Sequence, residues 1–228
     1  MTPIAANLQA VRERIAASCK TAGRAADSVS LLAVSKTWPA ALLRDACAAG
    51  QLAFGENYVQ EALDKITALH DLAPEWHFIG PLQSNKTRPV AEQFSWVHSV
   101  DRLKIAERLA AQRPPGLPPL QVCLQVNVSG EYTKGGCTPA EAGALAEAVA
   151  RLPGLRLRGL MAIPEPASEF ALQRRPFAAL RELQAAINAS LGGALDTLSM
   201  GMSDDLEAAI MEGATIVRIG TAIFGQRT

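Results

Sequence analysis

The 228-residue chain has only four cysteines, Cys19, Cys47, Cys123 and Cys137, and no two of them stand at CxxC spacing. That argues against a disulfide framework and against a zinc site built on cysteine pairs, so reduced thiols are expected. Histidine is scarcer still: His70, His77 and His98 lie apart, with no HxxxH pair or His-rich tract to hold a metal. An excess of one charge is also missing. The 22 basic residues balance 22 acidic ones and are scattered, which leaves no electrostatic footprint for nucleic acid or an anionic membrane. No apolar stretch is long enough to span a bilayer, and Asn7, Gln9, Arg12, Glu13 and Arg14 interrupt what would be the apolar core of a signal peptide. A cytoplasmic protein is expected. Low-complexity segments are absent, and no confidently assignable apolar surface stripe argues for an oligomer, so the default expectation is a monomer.

What is present is a regular alternation. Ile4, Leu8, Val11 and Ile15 recur at helical spacing behind Thr2-Pro3, an N-cap followed by proline at the first helical position. After this opening amphipathic helix, apolar runs near 30–35, 52–54, 76–79, 96–100, 120–128, 155–163, 196–200 and 215–219 read as eight strands. Helical segments fall between them at about 40–50, 57–70, 85–93, 102–112, 139–151, 170–190 and 204–212. Thr138-Pro139-Ala140-Glu141 forms a capping box, and Asp101 is placed to cap the helix after the fourth strand.

The strands are mostly apolar rather than strictly alternating, as expected when both faces are buried. Eight βα repeats in a chain near the ~250 residues typical of the fold predict an α/β protein, a (β/α)8 TIM barrel with an extra N-terminal helix. An open doubly wound sheet is the alternative, weakened by the lack of a GxGxxG in the first βα unit. The proline-rich segment 113–119 is short and flanked on both sides by continuing alternation, so it reads as a stiff loop inside one domain spanning 1–228.

Polar and glycine clusters gather at the predicted C-terminal strand ends. Lys36 follows the first strand, Gly55-Glu56-Asn57 the second, Gly80 to Lys86 the third, Asn127 to Gly136 the fifth, Ser199 to Ser203 the seventh and Gly220-Thr221 the eighth. In a barrel these ends share the rim where active sites lie. A lysine there is ordinarily a solvated surface group, but a desolvated one is a candidate Schiff-base nucleophile, since the free amine titrates near ~10.4 and attacks carbonyls poorly.

The loops Ser199–Ser203 and Arg218–Thr221 can bind an anion through backbone N–H groups at helix starts. Taken singly, Ser203 also reads as a helix N-cap and Gly220 as a tight turn. Asp204 and Asp205 fit an anion site only if they turn to solvent. Arg218 interrupts the apolar Ile216-Val217-Arg218-Ile219 and must be paired. Either a buried carboxylate or an acceptor on a ligand ring would serve. His77 reads as a packed, hydrogen-bonded histidine, Glu56 and Asn57 as ligand-orienting or turn residues, and Trp38, Trp76 and Trp96 as packing between barrel and helices.

Together Ala33-Val34-Ser35-Lys36, Phe54-Gly55-Glu56-Asn57, Trp76-His77-Phe78-Ile79-Gly80 with Leu82 to Lys86, Asn127 with Ser129, Glu131, Lys134 and Gly136, Arg158 to Met161, Leu198 to Ser203, and Arg218 to Thr221 resemble the pyridoxal phosphate homeostasis protein family. The resemblance spans essentially the whole chain. It implies a barrel similar to the N-terminal domain of alanine racemase, with pyridoxal 5′-phosphate (PLP) carried as a Schiff base on Lys36.

By the same resemblance, Ser203, Gly220 and Thr221 hold the phosphate, Arg218 faces the pyridine nitrogen, and Asn57 lies beside the cofactor. The implied role is intracellular PLP (vitamin B6) homeostasis, by storage or delivery to apo PLP-dependent enzymes without turnover. An arginine at the pyridine nitrogen weakens the ring as an electron sink. No residues are left over for the second β-domain that completes the catalytic relatives, and Tyr58 and Tyr132 are poor substitutes for a base. Lys134 is a candidate for relaying the cofactor. The alternatives are a vestigial PLP-dependent amino-acid racemase or decarboxylase, and a cofactor-free aldolase-like barrel.

Overall fold

The computed structural model describes residues 2–130 and 135–226. The expectations for Glu131, Tyr132 and Lys134 therefore lie outside the described residues. Eight parallel strands close into a barrel in sequential order. They are β1 (Ser30–Val34), β2 (Ala53–Glu56), β3 (Glu75–Phe78), β4 (Trp96–Val100), β5 (Leu120–Gln125), β6 (Leu155–Met161), β7 (Thr197–Ser199) and β8 (Ile216–Ile219). The helices around them are α1 (Pro3–Thr21), α2 (Ala40–Ala48), α3 (Val59–Ala68), α4 (Thr87–Gln93), α5 (Leu103–Gln112), α6 (Pro139–Ala150), α7 (Phe170–Leu191), α8 (Leu206–Met211) and α9 (Thr221–Phe224).

Closure is made by β1 against β8, with Leu32 opposite Arg218 and Ala33 opposite Ile219. The (β/α)8 barrel expected from the alternation is what forms. Two buried groups divide the apolar residues. Leu32, Val34, Ile79, Trp96, Cys123, Met161 and Ile216 fill the barrel, and a larger set packs between strands and helices. Because side chains alternate along a strand, the residues that continue the inward row at the top of β1, β2 and β8 are Lys36, Asn57 and Gly220.

The opening helix begins as its sequence dictates, with Thr2 Oγ1 accepting the Ala5 N–H and proline at its start. Its apolar stripe, Ile4, Leu8, Val11 and Ile15, is buried against α2, α8 and α9. From there α1 reaches the rim twice: Arg14 Nη1 donates to the Ser203 carbonyl at 2.8 Å and Asn7 Nδ2 to the Ile223 carbonyl at 2.8 Å. Arg14 is also ion-paired to Glu207 of α8. The extra helix thus braces the loops after both β7 and β8. The capping box of α6 is present, Thr138 Oγ1 and Glu141 Oε2 each accepting the other's backbone N–H.

Three expectations are corrected. Asp101 does not cap α5: its carboxylate accepts from Arg102 at 2.7 and 2.8 Å, and Arg102 itself is the N-cap residue, without a side-chain capping bond. Trp96 packs inside the barrel, stacked on His77 at 5.4 Å, not between barrel and helices. Trp76, beside Phe54, and Trp38, on Phe224, pack as expected. The helix start expected after β8 is present as the four-residue α9. The carboxylate of Glu56 faces Lys65 rather than a ligand site.

Candidate functional site

A cavity of about 210 Å³ opens at the C-terminal end of the barrel, and Lys36, Asn57, Ser203, Arg218, Gly220 and Thr221 all line it. The six residues singled out from sequence are therefore brought together. A larger groove of about 410 Å³ lies between α1, α7 and α8, but its charged residues, Arg14 and Glu207, are already paired with each other. The residues singled out from sequence converge on the rim.

Lys36 is half-buried, and its two neighbours in the chain are pinned from behind. Lys65 of α3, 4% exposed, donates to the Ser35 carbonyl at 2.7 Å, to Glu56 Oε1 at 2.7 Å and to Glu61 Oε1 at 2.6 Å. Ser35 Oγ donates to the same Glu56 oxygen, and the Thr37 N–H donates to Glu61. Thr37 sits at φ 69°, a left-handed conformation that is costly for a residue with a β-branched side chain. The chain thus turns abruptly after Lys36 and is held there by a buried lysine and two carboxylates. Burial, the largest influence, raises the Glu56 carboxyl above its ordinary range, against the pull of Lys65 and the Ser35 hydroxyl.

Arg218 is buried and, among the described residues, has no carboxylate in direct contact. Its Nη1 donates to the Ser199 carbonyl at 2.6 Å and to Ser199 Oγ at 2.9 Å, and its Nη2 to the Ala162 carbonyl at 2.9 Å. Burial lowers its pKa to about 10, still well above neutrality. A guanidinium has five N–H donors. Three are used, so Nε–H and the second Nη2 hydrogen have no partner among the described residues and can serve whatever occupies the cavity. Asn57 supplies the complement, because its Oδ1 is buried without a hydrogen-bond partner among the described residues.

The two rim loops differ from the simplest readings. Ser203 is not the N-cap of α8; that residue is Asp205. The Asp205 carboxylate does not turn to solvent but accepts the Met202 N–H at 2.6 Å, and burial, the leading influence, raises its pKa. Asp204 is exposed at the cavity mouth. Gly201 takes φ +95°, and a Cβ there would come within 2.6 Å of Ala209 Cβ, so the tight turn that presents Ser203 requires glycine.

Gly80 makes a second close approach, since a Cβ on it would lie 2.4 Å from the Asn57 carbonyl oxygen and 2.7 Å from Asn57 Cα. We expect Gly80→Ala to push the Asn57 segment away from β3 at a cost of roughly 1–3 kcal/mol, typical of overpacking. Urea unfolding measures this, and an unchanged midpoint would contradict the tight contact.

Two buried histidines were not recognised as part of the site. His98 Nδ1 is 2.7 Å from Ser199 Oγ, and its Nε2 is 2.9 Å from His77 Nδ1. Through Ser199 they touch Arg218.

A family model, the alanine racemase N-terminal domain, matches residues 6–228. The pyridoxal phosphate homeostasis protein of Pseudomonas aeruginosa is 66% identical over 227 residues, covering all of this chain and 97% of that protein. Its namesake in Escherichia coli K12 is 55% identical over 233 residues, covering all of this chain and 98% of that one. Among solved structures, PipY of Synechococcus elongatus PCC7942 with PLP bound superposes with a TM-score of 0.85 at 39% identity, over 97% of this chain and all of that one. The chain belongs to the alanine racemase N-terminal domain family and, within it, to the pyridoxal phosphate homeostasis proteins.

Proposed function

We propose that the chain, acting as a single-domain cytoplasmic monomer, binds pyridoxal 5′-phosphate in the rim cavity, tethers it reversibly to Lys36, and stores it or hands it to apo-enzymes without turnover. The observation that carries this is the meeting, in one cavity of about 210 Å³, of a lysine amine, an orphaned Asn57 acceptor and a buried arginine with two uncommitted donors. The cofactor, when bound, supplies an aldehyde for a Schiff base and an aromatic ring nitrogen that can accept a hydrogen bond. PipY, a relative at 39% identity, is solved with PLP bound.

The residues present fit that group. Arg218 would donate to the ring nitrogen and, carrying a permanent charge, would keep that nitrogen unprotonated. The Asn57 Oδ1 would accept from a ring hydroxyl. Ile223 and Phe224 donate their N–H groups to the Gly220 carbonyl, which leaves the N–H groups of Thr221 and Ala222 at the turn after Gly220 to form, with Ser203 and the Thr221 hydroxyl, a cup for a phosphate.

The same residues support handing-over rather than turnover. An arginine at the ring nitrogen withholds the proton that would make the ring a strong electron sink. Lys36, Asp204 and Arg218 are the titratable groups among the described lining residues, and Tyr58, 59% exposed, is not among them. No opposed acid–base pair is assembled from these.

The test is spectral and chemical. The purified chain loaded with PLP should show the near-ultraviolet and visible absorbance of the tethered cofactor, and borohydride should add one pyridoxyl mass at Lys36. Lys36→Ala should lose both. A wild-type chain that never takes up PLP would overturn the reading, and hydrogen exchange at Cα of an amino acid far above that given by free PLP would replace it with a racemase or decarboxylase.

A further inference from the structure

Inside the barrel, five polar groups from four strands form one line from its N-terminal to its C-terminal end. His77 Nε2 lies 3.2 Å from Glu75 Oε2, near enough for attraction though without hydrogen-bond alignment. His77 Nδ1 meets His98 Nε2 at 2.9 Å, His98 Nδ1 meets Ser199 Oγ at 2.7 Å, and Ser199 Oγ meets Arg218 Nη1 at 2.9 Å. His77, His98, Ser199 and Arg218 are each 4% exposed or less.

One end of this line fixes the rest. Arg218 can only donate, so Ser199 Oγ accepts from it, and His98 Nδ1 is the one acceptor among the described residues placed to take the serine hydrogen; the Glu75 carboxylate at the far end, which can only accept, calls for the same direction. His98 then carries its proton on Nε2 and donates to His77 Nδ1. His77 in turn carries its proton on Nε2, facing the Glu75 carboxylate. The direction is set from Arg218 through every member, with both rings neutral.

The line ends at a group that cannot pass a proton on, so it does not serve as a proton conduit. What it can do is hold Arg218. Ser199 grips Nη1 with two acceptors, and the Ala162 carbonyl holds Nη2, which fixes the plane of the guanidinium and the aim of its two remaining donors. An Nδ1–H on His98 would face the Arg218 donor across the same Ser199 oxygen and strand the serine hydrogen.

We propose that His98, backed by His77 and acting through Ser199, is a positioning residue for Arg218 and so sets the hydrogen bond that the site makes to the ring nitrogen of its ligand. This rests on the PLP reading above.

The test uses the full chain loaded with PLP. His98→Leu removes the acceptor for the Ser199 hydrogen, and Ser199→Ala removes the link itself. Each should shift the absorbance maximum of the bound cofactor and weaken its retention about tenfold, the order expected when one charge-assisted hydrogen bond is misaimed. His98→Gln, whose amide can both accept and donate, should restore the wild-type spectrum.

Should His98→Leu not fold, imidazole 15N shifts of the wild-type protein decide the matter, since both rings must be neutral and protonated at Nε2. Normal cofactor spectra and retention in the loaded Leu and Ala variants, or an Nδ1–H on His98, would overturn the positioning role while leaving the PLP reading intact. A wild-type chain that binds no PLP would overturn both.

Discussion

Lys65→Met is expected to destabilise the fold by about 3–5 kcal/mol, the usual cost of removing one partner from a buried ion pair. All three ammonium hydrogens of Lys65 are committed, to the Ser35 carbonyl, Glu56 and Glu61. Methionine supplies similar bulk, so a packing defect is not the main loss. What remains behind is Glu56, fully buried, with one oxygen held only by Ser35 and the other already without a hydrogen-bond partner.

The variant should therefore hold a proton at Glu56 at higher pH than the wild type does, since burial already pushes that carboxyl up and Lys65 is the chief group pulling it down. Adding Glu56→Gln should recover a large part of the loss, giving a coupling well above the few tenths of a kcal/mol seen for independent sites. Urea midpoints of the four proteins measure it. Additive single effects would show that Lys65 acts by packing alone. Cofactor retention should fall along with stability, because the same three side chains hold the carbonyl of Ser35 and the N–H of Thr37 on either side of Lys36.

This support of Lys36 was hidden in the sequence, whereas Lys36 itself was not. A lysine closing the run Ser30 to Ser35 is conspicuous against an apolar strand. Lys65, in contrast, sits among Glu61, Asp64 and Gln60 in a helix whose outer face is polar, and reads as a solvated i, i+4 pair with Glu61. Only the turn that brings α3 back over β1 and β2 makes it buried.

The barrel was legible for a general reason. Apolar runs of strand length alternating with helical periods leave few other arrangements, and the rim residues then converge whatever the loop details. The losses came where one residue's direction mattered. Asp101 bonds to its neighbour rather than capping, and Asp205 turns back on its loop. Nothing in the sequence couples Arg14 to Ser203, which lies 189 residues away.

The histidines were the most recoverable omission. Trp96 and His98 share one face of β4, and Glu75, His77 and Ile79 one face of β3 and its continuation. Pairing of these strands, with His77 opposite Trp96, places both imidazoles in the barrel interior, where a histidine must find a partner. An uninterrupted apolar reading of 96–100 hides that alternation.

Acid should expose the same pair. Burial holds His98 well below its usual pKa, with the neighbouring His77 and the Arg218 cation adding to the effect. Burial lowers His77 as well, partly offset by Glu75. The charged groups around the pair act from every side: Glu75 on β3, Arg158 of β6 lying over the Trp96 ring, and Arg218 on β8. Unfolded histidine titrates near ~6.5, so below that pH the unfolded chain binds protons that the folded chain refuses. Stability is then complete above about pH 6.5 and falls as pH drops, by up to ~1.4 kcal/mol per pH unit for each histidine until its folded pKa is reached.

Between pH 7 and 5 an unfolded pKa near ~6.5 limits the loss at each histidine to about 2 kcal/mol, with His98, held lower, nearer that limit than His77. Carboxylates complicate the lower end in both directions. Those held low, such as Glu75 and Asp196, lose stability only toward pH 4 and below, whereas Glu56 and Asp205, held high, gain it as acid protonates them. Comparison with His98→Gln cancels these common contributions. The pH 7 to 5 loss in urea midpoint stability should shrink by up to about 2 kcal/mol in that variant, and an equal loss in both proteins would mean that His98 is charged in the folded state.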